Sequence, residues 1–307
     1  MILSFIIPYY KGKPYIKKLL ESIVISYETS SKKIVPEIIL VLDSQDGTEE
    51  WLQMLCYELF NNMNIRFSII QNNENLGVDK SRDIGIENST GDLITCIDQD
   101  DYISINYISE LENNYNSTVN FYFINGYLIN IITKKQVPIY YHMPKLTAEK
   151  IIRNNCILSP SFLILNRHFV IDNKLHFSLP FDEYKGVDDW YFTIQLLTLK
   201  VEPKHIVINK KMIYYCLHNN NYSKNILEIV KGSIKVLESI SVLNKRLRKS
   251  IALKLLNLNF SINLYSRNKI LVAILEPFRF LSFIKLYFED YNRIIRFVHK
   301  NIIQINS

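Results

Sequence analysis

Apolar positions along the first hundred residues follow two alternating periods. Residues 2–7 (ILSFII) form a near-continuous apolar run closed by Pro8, the pattern of a strand buried on both faces. Ile16, Leu19, Leu20, Ile23, Val24 and Tyr27 then recur at helical spacing and predict one amphipathic helix. A second run, 37–42 (EIILVL), enters the polar turn 43–48 (DSQDGT), where Thr48-Glu49-Glu50 predicts a helix start. A third strand, 66–71, ends in QNNENLG, and a helix over Val78–Asn88 follows, with Gly91 after it. A fourth strand, 92–97 (DLITCI), ends in Asp98-Gln99-Asp100-Asp101. Strand and helix thus alternate four times, and the strands lack polar alternation. This predicts an α/β fold with an open, mostly parallel sheet flanked by helices. Such sheets bind ligands at the carboxyl ends of their strands, where the polar clusters of this chain sit.

Beyond Tyr102 the pattern is less regular. Strand-like runs cover 119–132 and 161–166. A helix is predicted from Asp188 through Leu199, with Trp190, Ile194 and Leu197 along one side, and another strand covers 205–217. After Asn219-Asn220-Asn221 the composition changes. Residues 226–305 predict three or four helices rich in Leu, Ile, Phe and Lys/Arg, with Pro277 as a break. The expected organisation is a domain over 1–223 and a C-terminal all-helical appendage over 224–307.

Composition narrows the class. Of 307 residues, 48% are hydrophobic and 21% charged, which excludes a disordered chain. With 8 Gly and 9 Pro, collagen-like and low-complexity classes are also excluded. Four cysteines (Cys56, Cys96, Cys156, Cys216) show no CxxC spacing, which argues against a structural zinc site or a disulfide scaffold and for a reducing, cytoplasmic setting. At the N-terminus the positive charges follow the apolar run and no small-residue cleavage site is present, so a first strand is expected there, not a signal peptide. No uncharged apolar run reaches the roughly 18 residues of a membrane span. Charge is unevenly distributed: residues 225–307 hold 14 Lys/Arg against 5 Asp/Glu, while the rest holds 22 against 25. A slightly acidic body with a strongly basic tail implies two modules with different partners.

The densest chemistry is Asp98-Gln99-Asp100-Asp101. Three carboxylates within four residues repel one another unless a cation or a set of donors neutralises them. Hard oxygen ligands of this kind favour Mg²⁺ or Mn²⁺, ions that commonly bridge to substrate phosphates. The competing reading is a solvated acidic turn with a helix-capping Asp.

Other segments weigh on that choice. Residues 4–11 (SFIIPYYK) place an aromatic pair past the first strand, and Asp43 ends the second. Residues 77–85 (GVDKSRDIG) open the third helix. With the acidic cluster, these resemble the family 2 glycosyltransferases of the GT-A fold, whose members carry P-x-Y-N, V-D-D-x-S-x-D-x-T, G-x-x-x-A-R-N-x-G and L-D-x-D-D in that order. In the second half, residues 180–190 (PFDEYKGVDDW) resemble the family's F-D-E…E-D-W segment, 159–167 (SPSFLILNR) the strand before it, and 214–218 (YYCLH) its Y-Y-R-x-H ending. The resemblance covers about residues 1–223. Lys11, Asp83, Asp188 and Cys216 depart from it, standing where the family usually has Asn, Asn, Glu and Arg.

The resemblance implies a Rossmann-like nucleotide-binding half over 1–101 and an acceptor half over 102–223. It implies inverting transfer of a sugar from a nucleoside-diphosphate sugar, a UDP-sugar by preference, to a hydroxyl of a glycan or lipid-linked glycan in surface-polysaccharide synthesis, with Mn²⁺ or Mg²⁺ as cofactor. Pro8 and Tyr10 then lie at the donor, with Tyr10 stacking on the base. Asp43 accepts from uracil, Arg82 points to the base or diphosphate, and Asp98 supports Asp100 and Asp101. Asp100 touches ribose or metal, Asp101 ligates the metal, and His218 completes its shell or is a surface histidine. Asp189 is the base, preceded by Asp188, unless the two only cap a helix. Trp190 lies against an acceptor sugar or in the core.

Competing classes are a nucleotidyltransferase on a similar sheet, for which only Lys11-Gly12-Lys13 offers a phosphate loop, and a non-catalytic nucleotide-sugar or glycan-binding module. A nucleic-acid partner is not expected, because the tail's Lys/Arg are spread over amphipathic helices without a recognition motif. Basic amphipathic helices of this kind suit an anionic membrane surface, here the inner face of the cell membrane; packing on the body or a homodimer contact is the alternative. The run from Ile270 to Phe288 is interrupted by Glu276, Arg279 and Lys285 and does not span a bilayer. Vesicle flotation separates the two readings: salt-sensitive binding to anionic vesicles is expected, and its absence leaves the packing or dimer role.

Overall fold

The computed structural model describes residues 1–218, 225–240 and 245–266. In chain order the elements are β1 (Ile2–Tyr9), α1 (Ile16–Glu28), β2 (Val35–Leu42), α2 (Glu49–Phe60), β3 (Arg66–Gln71), α3 (Val78–Asn88) and β4 (Leu93–Cys96). There follow β5 (Tyr102–Ile103), α4 (Tyr107–Asn114), β6 (Phe121–Asn130), β7 (Gln136–Pro138), α5 (Ala148–Asn154), a 3₁₀ turn (Pro160–Phe162), β8 (Leu163–Asn166), α6 (Arg167–Asp172), α7 (Asp188–Leu197), β9 (His205–Leu217), α8 (Ile226–Ser239) and α9 (Lys245–Ser266). The expected elements of the first hundred residues are all present. The short β5, β7, α4, α5 and α6 carry too few periodic positions to stand out in the sequence.

The chain divides into two compact units. The first holds residues 1–143, 159–178 and Pro203 to His218; the second holds 144–158, 179–202 and the described residues beyond 219. This differs from the expected boundary at residue 223. Helices α5 and α7 group with α8 and α9 because their apolar faces meet one another: α5 packs on both α7 and α9, and α8 packs on α9. Of the C-terminal module, residues 267–307, including Pro277 and the run from Ile270 to Phe288, lie outside the described residues. Among the described residues no helix is long and apolar enough to cross a membrane.

The first unit is built on one sheet, in the order β3-β2-β1-β4-β8-β6-β9-β5, with β7 paired to β6. Strands β3, β2, β1 and β4 are parallel; β8 joins β4 and β6 antiparallel, β9 runs parallel to β6, and β5 pairs antiparallel to β9. Strands β1 and β2 are buried almost end to end, as their unbroken apolar runs require. Pro8 does not end β1, as the sequence pattern implied, but pairs within it opposite Val41. The carbonyl of Ile6 accepts from Ile97 on the β4 side, so by the two-residue repeat Pro8 faces the same side beyond the last β4 partner. Its missing N–H costs no ladder bond there.

Two features of this sheet position a site. Winding proceeds from β1 to β2 to β3 and then reverses, so β1 and β4 are neighbours whose connections leave in opposite directions. Their carboxyl ends bound the crevice where open α/β sheets take ligands. At the opposite end Glu37 ties the strands together. Its carboxylate accepts from the Ser4 hydroxyl at 2.5 Å, the Thr90 amide at 2.8 Å and the Thr90 hydroxyl at 2.5 Å.

Burial pushes the Glu37 carboxyl up, but the hydrogen bonds from Ser4 and Thr90 outweigh it and hold it below its ordinary value. A depressed carboxyl stabilises the fold above its unfolded pKa, about 4.3, and loses that contribution as pH falls through its folded value. Glu37→Gln should therefore lower the unfolding free energy by about 2 kcal/mol at pH 7, and the gap should narrow below about pH 4. Urea denaturation at several pH values checks this; a gap independent of pH would remove Glu37 as the titrating tie.

Candidate active site

Past β4 the chain turns sharply, with the Asp101 amide donating to the Asp98 carbonyl at 3.0 Å. The turn brings three carboxylates to the crevice, and a different element meets each one. Arg82, buried on α3, donates to Asp98 Oδ1 at 2.6 Å, and its guanidinium carbon lies 5.4 Å from the centroid of the Phe177 ring. Arg82, expected from the resemblance at the base or diphosphate, thus meets the acidic loop at Asp98. Asp100 Oδ2 lies 2.5 Å from His218 Nε2, at the end of β9, and His218 stacks on Tyr15 with centroids 5.2 Å apart.

Asp101 sits behind this pair and is 2% exposed. Its Oδ1 accepts the backbone N–H of Cys216 at 2.8 Å, while Oδ2 is buried with no hydrogen-bond partner. Burial first, then the charges of Asp100 and Asp98, push its carboxyl well above the usual carboxylate range. An orphaned oxygen in such a place is the kind of group a cation satisfies. Asp100 and His218 are the more outward side chains and combine carboxylate with imidazole, a donor set suited to Mn²⁺. Among the described residues no three His, Cys, Asp or Glu side chains converge into a ready-made metal cage.

Across the crevice, Pro8 is buried in β1 and Tyr10 stands just past it, 46% exposed. The side-chain amide of Gln99 bridges to the Tyr10 backbone, a contact that carried no signal in the sequence. Asp43 follows β2, at the position where the resemblance expects a carboxylate that accepts from uracil. It is 4% exposed, and it accepts from Asn72 Nδ2 at 2.9 Å, the Leu76 amide at 2.7 Å and the Gly77 amide at 2.9 Å. These bonds staple the 72–77 loop to the end of β2. Gly77 takes φ 96°, a conformation that a side chain strongly disfavours, and it opens α3.

Asp188 and Asp189 belong to the second unit, in the first turn of α7. Asp188 is buried, and Asp189 is half-buried and accepts the Trp190 amide at 2.6 Å. Both lie at the end of the helix that carries partial positive charge. Trp190 is a core residue: its indole N–H donates to the Ile151 carbonyl at 2.7 Å, and the Lys254 ammonium lies 5.7 Å from its ring. Lys254 also donates to the Arg153 carbonyl at 2.6 Å, so α5 and α9 together fix the helix that carries Asp189.

The sequence motifs and this geometry coincide with a family match. The family model described as Glycosyl transferase family 2 matches residues 4–172, more than half of the chain. The chain belongs to glycosyl transferase family 2. Over 109 residues it is 32% identical to Glycosyltransferase GlyA of Streptococcus pneumoniae serotype 4; the match takes in 36% of this chain but only 14% of that longer protein. A crystal structure of S. aureus TarS 1–349 superposes with a TM-score of 0.60 at 18% identity, covering 95% of this chain and 81% of that one. The same TarS segment in complex with UDP-GlcNAc gives 0.61 at 20% identity, covering 85% and 73%. At these identities the likeness establishes the shared GT-A fold.

Within this family 2 chain two of the departures from the usual motifs find local reasons, while Lys11 does not. Lys11 takes φ 51°, in the left-handed region that Asn, the family's usual residue, tolerates better. Asp83 accepts the amides of Phe177 at 2.7 Å and Ser178 at 2.8 Å and also the Ser178 hydroxyl, a task for which a carboxylate has more acceptor capacity than an amide. Cys216 acts through its backbone N–H, so an Arg side chain is not required to hold Asp101.

The staple made by Asp43 gives a stability prediction. In Asp43→Asn one acceptor becomes an NH₂ that faces a donor. The variant should lose about 2 kcal/mol of unfolding free energy while retaining its secondary structure by circular dichroism. Unchanged stability in urea would show that the three donors find other partners.

Proposed function

We propose that the chain is an inverting glycosyltransferase that moves a sugar from a nucleoside-diphosphate sugar to a glycan hydroxyl with a divalent cation bound. The observation that carries this is the Asp100–His218 pair, set beside the buried Asp101 at the carboxyl end of β4 and across from the exposed Tyr10. The family 2 match supports sugar transfer, and the TarS complex with UDP-GlcNAc supports a uridine nucleotide as donor. Lipid-linked surface glycan is the acceptor class we favour.

The roles follow from each side chain's surroundings. Asp100 and His218 would hold Mn²⁺ or Mg²⁺, with Asp101 behind them. When bound, the ion neutralises charge on the leaving diphosphate. Arg82 keeps Asp98 neutralised and the loop in place. Tyr10 offers an aromatic face to the base. Asp43 holds the 72–77 loop that borders the donor side and has acceptor capacity left for the N–H of uracil. Transfer is a single displacement: the acceptor oxygen bonds to the anomeric carbon from the face opposite the leaving group. The anomeric carbon–oxygen bond breaks with its electron pair staying on the diphosphate, and the acceptor proton passes to Asp189. Asp188 lies buried beside Asp189 and steadies the helix start.

A panel of nucleoside-diphosphate sugars, assayed for nucleoside-diphosphate release with and without EDTA, tests the reaction class. Slow chelator-sensitive hydrolysis of one donor is expected. No response to any donor would favour the non-catalytic binding module. Asp189→Asn should leave nucleoside-diphosphate affinity within about twofold and lower turnover about 10²-fold or more, the scale of a lost general base. Collapse of donor binding with high residual turnover would move Asp189 to the donor site.

A further inference from the structure

We infer that Gln99, the residue between the carboxylates of the acidic loop, is a positioning residue that fixes the base-stacking Tyr10, so that the diphosphate side and the base side of the donor site are set as one piece. This rests on the donor-site reading above. Gln99 Nε2 donates to the Tyr10 carbonyl at 2.8 Å, and the Tyr10 amide donates to Gln99 Oε1 at 3.0 Å. One planar side-chain amide thus pairs with both backbone groups of one residue 89 positions away, as a neighbouring strand would. Only an amide can do this. A carboxylate would set a lone pair against the Tyr10 carbonyl, and an ammonium would have no acceptor for the Tyr10 N–H. Asn would fall one methylene short.

The surrounding loop shows why such a tether is needed. Tyr10 is exposed and Lys11 takes the left-handed φ of 51°, a conformation that persists only where neighbours hold it. On the far side the Gly12 carbonyl accepts the Tyr15 amide at 2.9 Å and the Ile16 amide at 3.1 Å, locking that end to the start of α1. On the near side the tether is Gln99. Gly12 leaves the room for it: a Cβ there would lie 1.9 Å from Gln99 Oε1 and 2.4 Å from its Cδ. The obstructing atoms are the far end of a flexible side chain, so alanine at 12 displaces Gln99 and leaves the backbone where it is. Gln99 is itself held from both sides, because Arg82 grips Asp98 and His218 meets Asp100. The acidic loop is therefore the fixed member and the Tyr10 loop the member it positions. Preorganising an aromatic face in this way spares ordering of that loop on binding.

The test measures affinity for uridine diphosphate and for inorganic pyrophosphate by calorimetry at saturating Mn²⁺, with competition against uridine diphosphate for the weaker ligand. Gln99→Ala should bind uridine diphosphate about tenfold more weakly and pyrophosphate within about twofold of the parent. Gly12→Ala should reproduce the loss, and the Gly12→Ala/Gln99→Ala double variant should lose no more than either single, because both remove one tether. Equal weakening toward both ligands would mean that Gln99 serves only the acidic loop. An unchanged affinity for uridine diphosphate, or additive losses in the double variant, would overturn the tether. A parent protein that binds pyrophosphate but none of the uridine, adenosine, guanosine and cytidine diphosphates would overturn the donor-site reading, and the tether with it.

Discussion

Negative charge at the carboxyl edge of the sheet is the constraint on which the first unit is organised. Three carboxylates in four residues, one of them buried, cannot share a turn unless each is met by a donor. The chain supplies those donors from three places far apart in sequence: Arg82 on α3, His218 past the end of β9, and the backbone N–H of Cys216 within β9. Strand β9 must therefore return beside β6 and reach the acidic loop, which it does in a parallel pairing that continues to Leu217. The unit's last strand is held in register partly by the charge that its first half concentrates.

The same logic operates with other carboxylates. Asp43 gathers the 72–77 loop, Asp83 gathers residues 177 and 178, and Glu112 accepts the amides of Ser31, Lys33 and Ile34. Each serves loop amides that have no ladder partner. The chain contains 8 glycines, so many of its turns rely on side-chain acceptors and not on glycine's conformational freedom.

In the second unit the constraint is apolar. Helix α7 presents Trp190, Ile194 and Leu196 as buried residues, and α5 and α9 close around its first turn through Ile151, Arg153 and Lys254. A carboxylate pair at the start of a helix so anchored is held by packing on two sides, which suits the proton-accepting role proposed for Asp189. The basic helices beyond residue 224 thereby share in building the segment that carries Asp189, whatever surface their outer charges meet.

Much of this was legible along the chain. Unbroken apolar runs and 3.6-residue periods are local signals, and they placed β1, α1, β3 and α3 within a residue or two of their ends and the start of α2. The order of short motifs placed the acidic cluster and the Asp188-Asp189 pair on the elements that bear them. What stayed hidden depends on which strands become neighbours. The hydrogen bonds of Asp43, the burial of Asp101 and the grip of Arg82 on Asp98 are decided when β1 takes β2 on one side and β4 on the other and β9 returns to complete the sheet. Gln99 carried no signal of its own in the sequence, yet it meets Tyr10 because β1 and β4 end side by side. Sequence alone determined which residues could carry charge, stack or accept a proton. Tertiary structure decided which of them face the crevice and which are consumed in holding it, because a hydrogen bond between residues 89 apart exists only once the sheet has set its register.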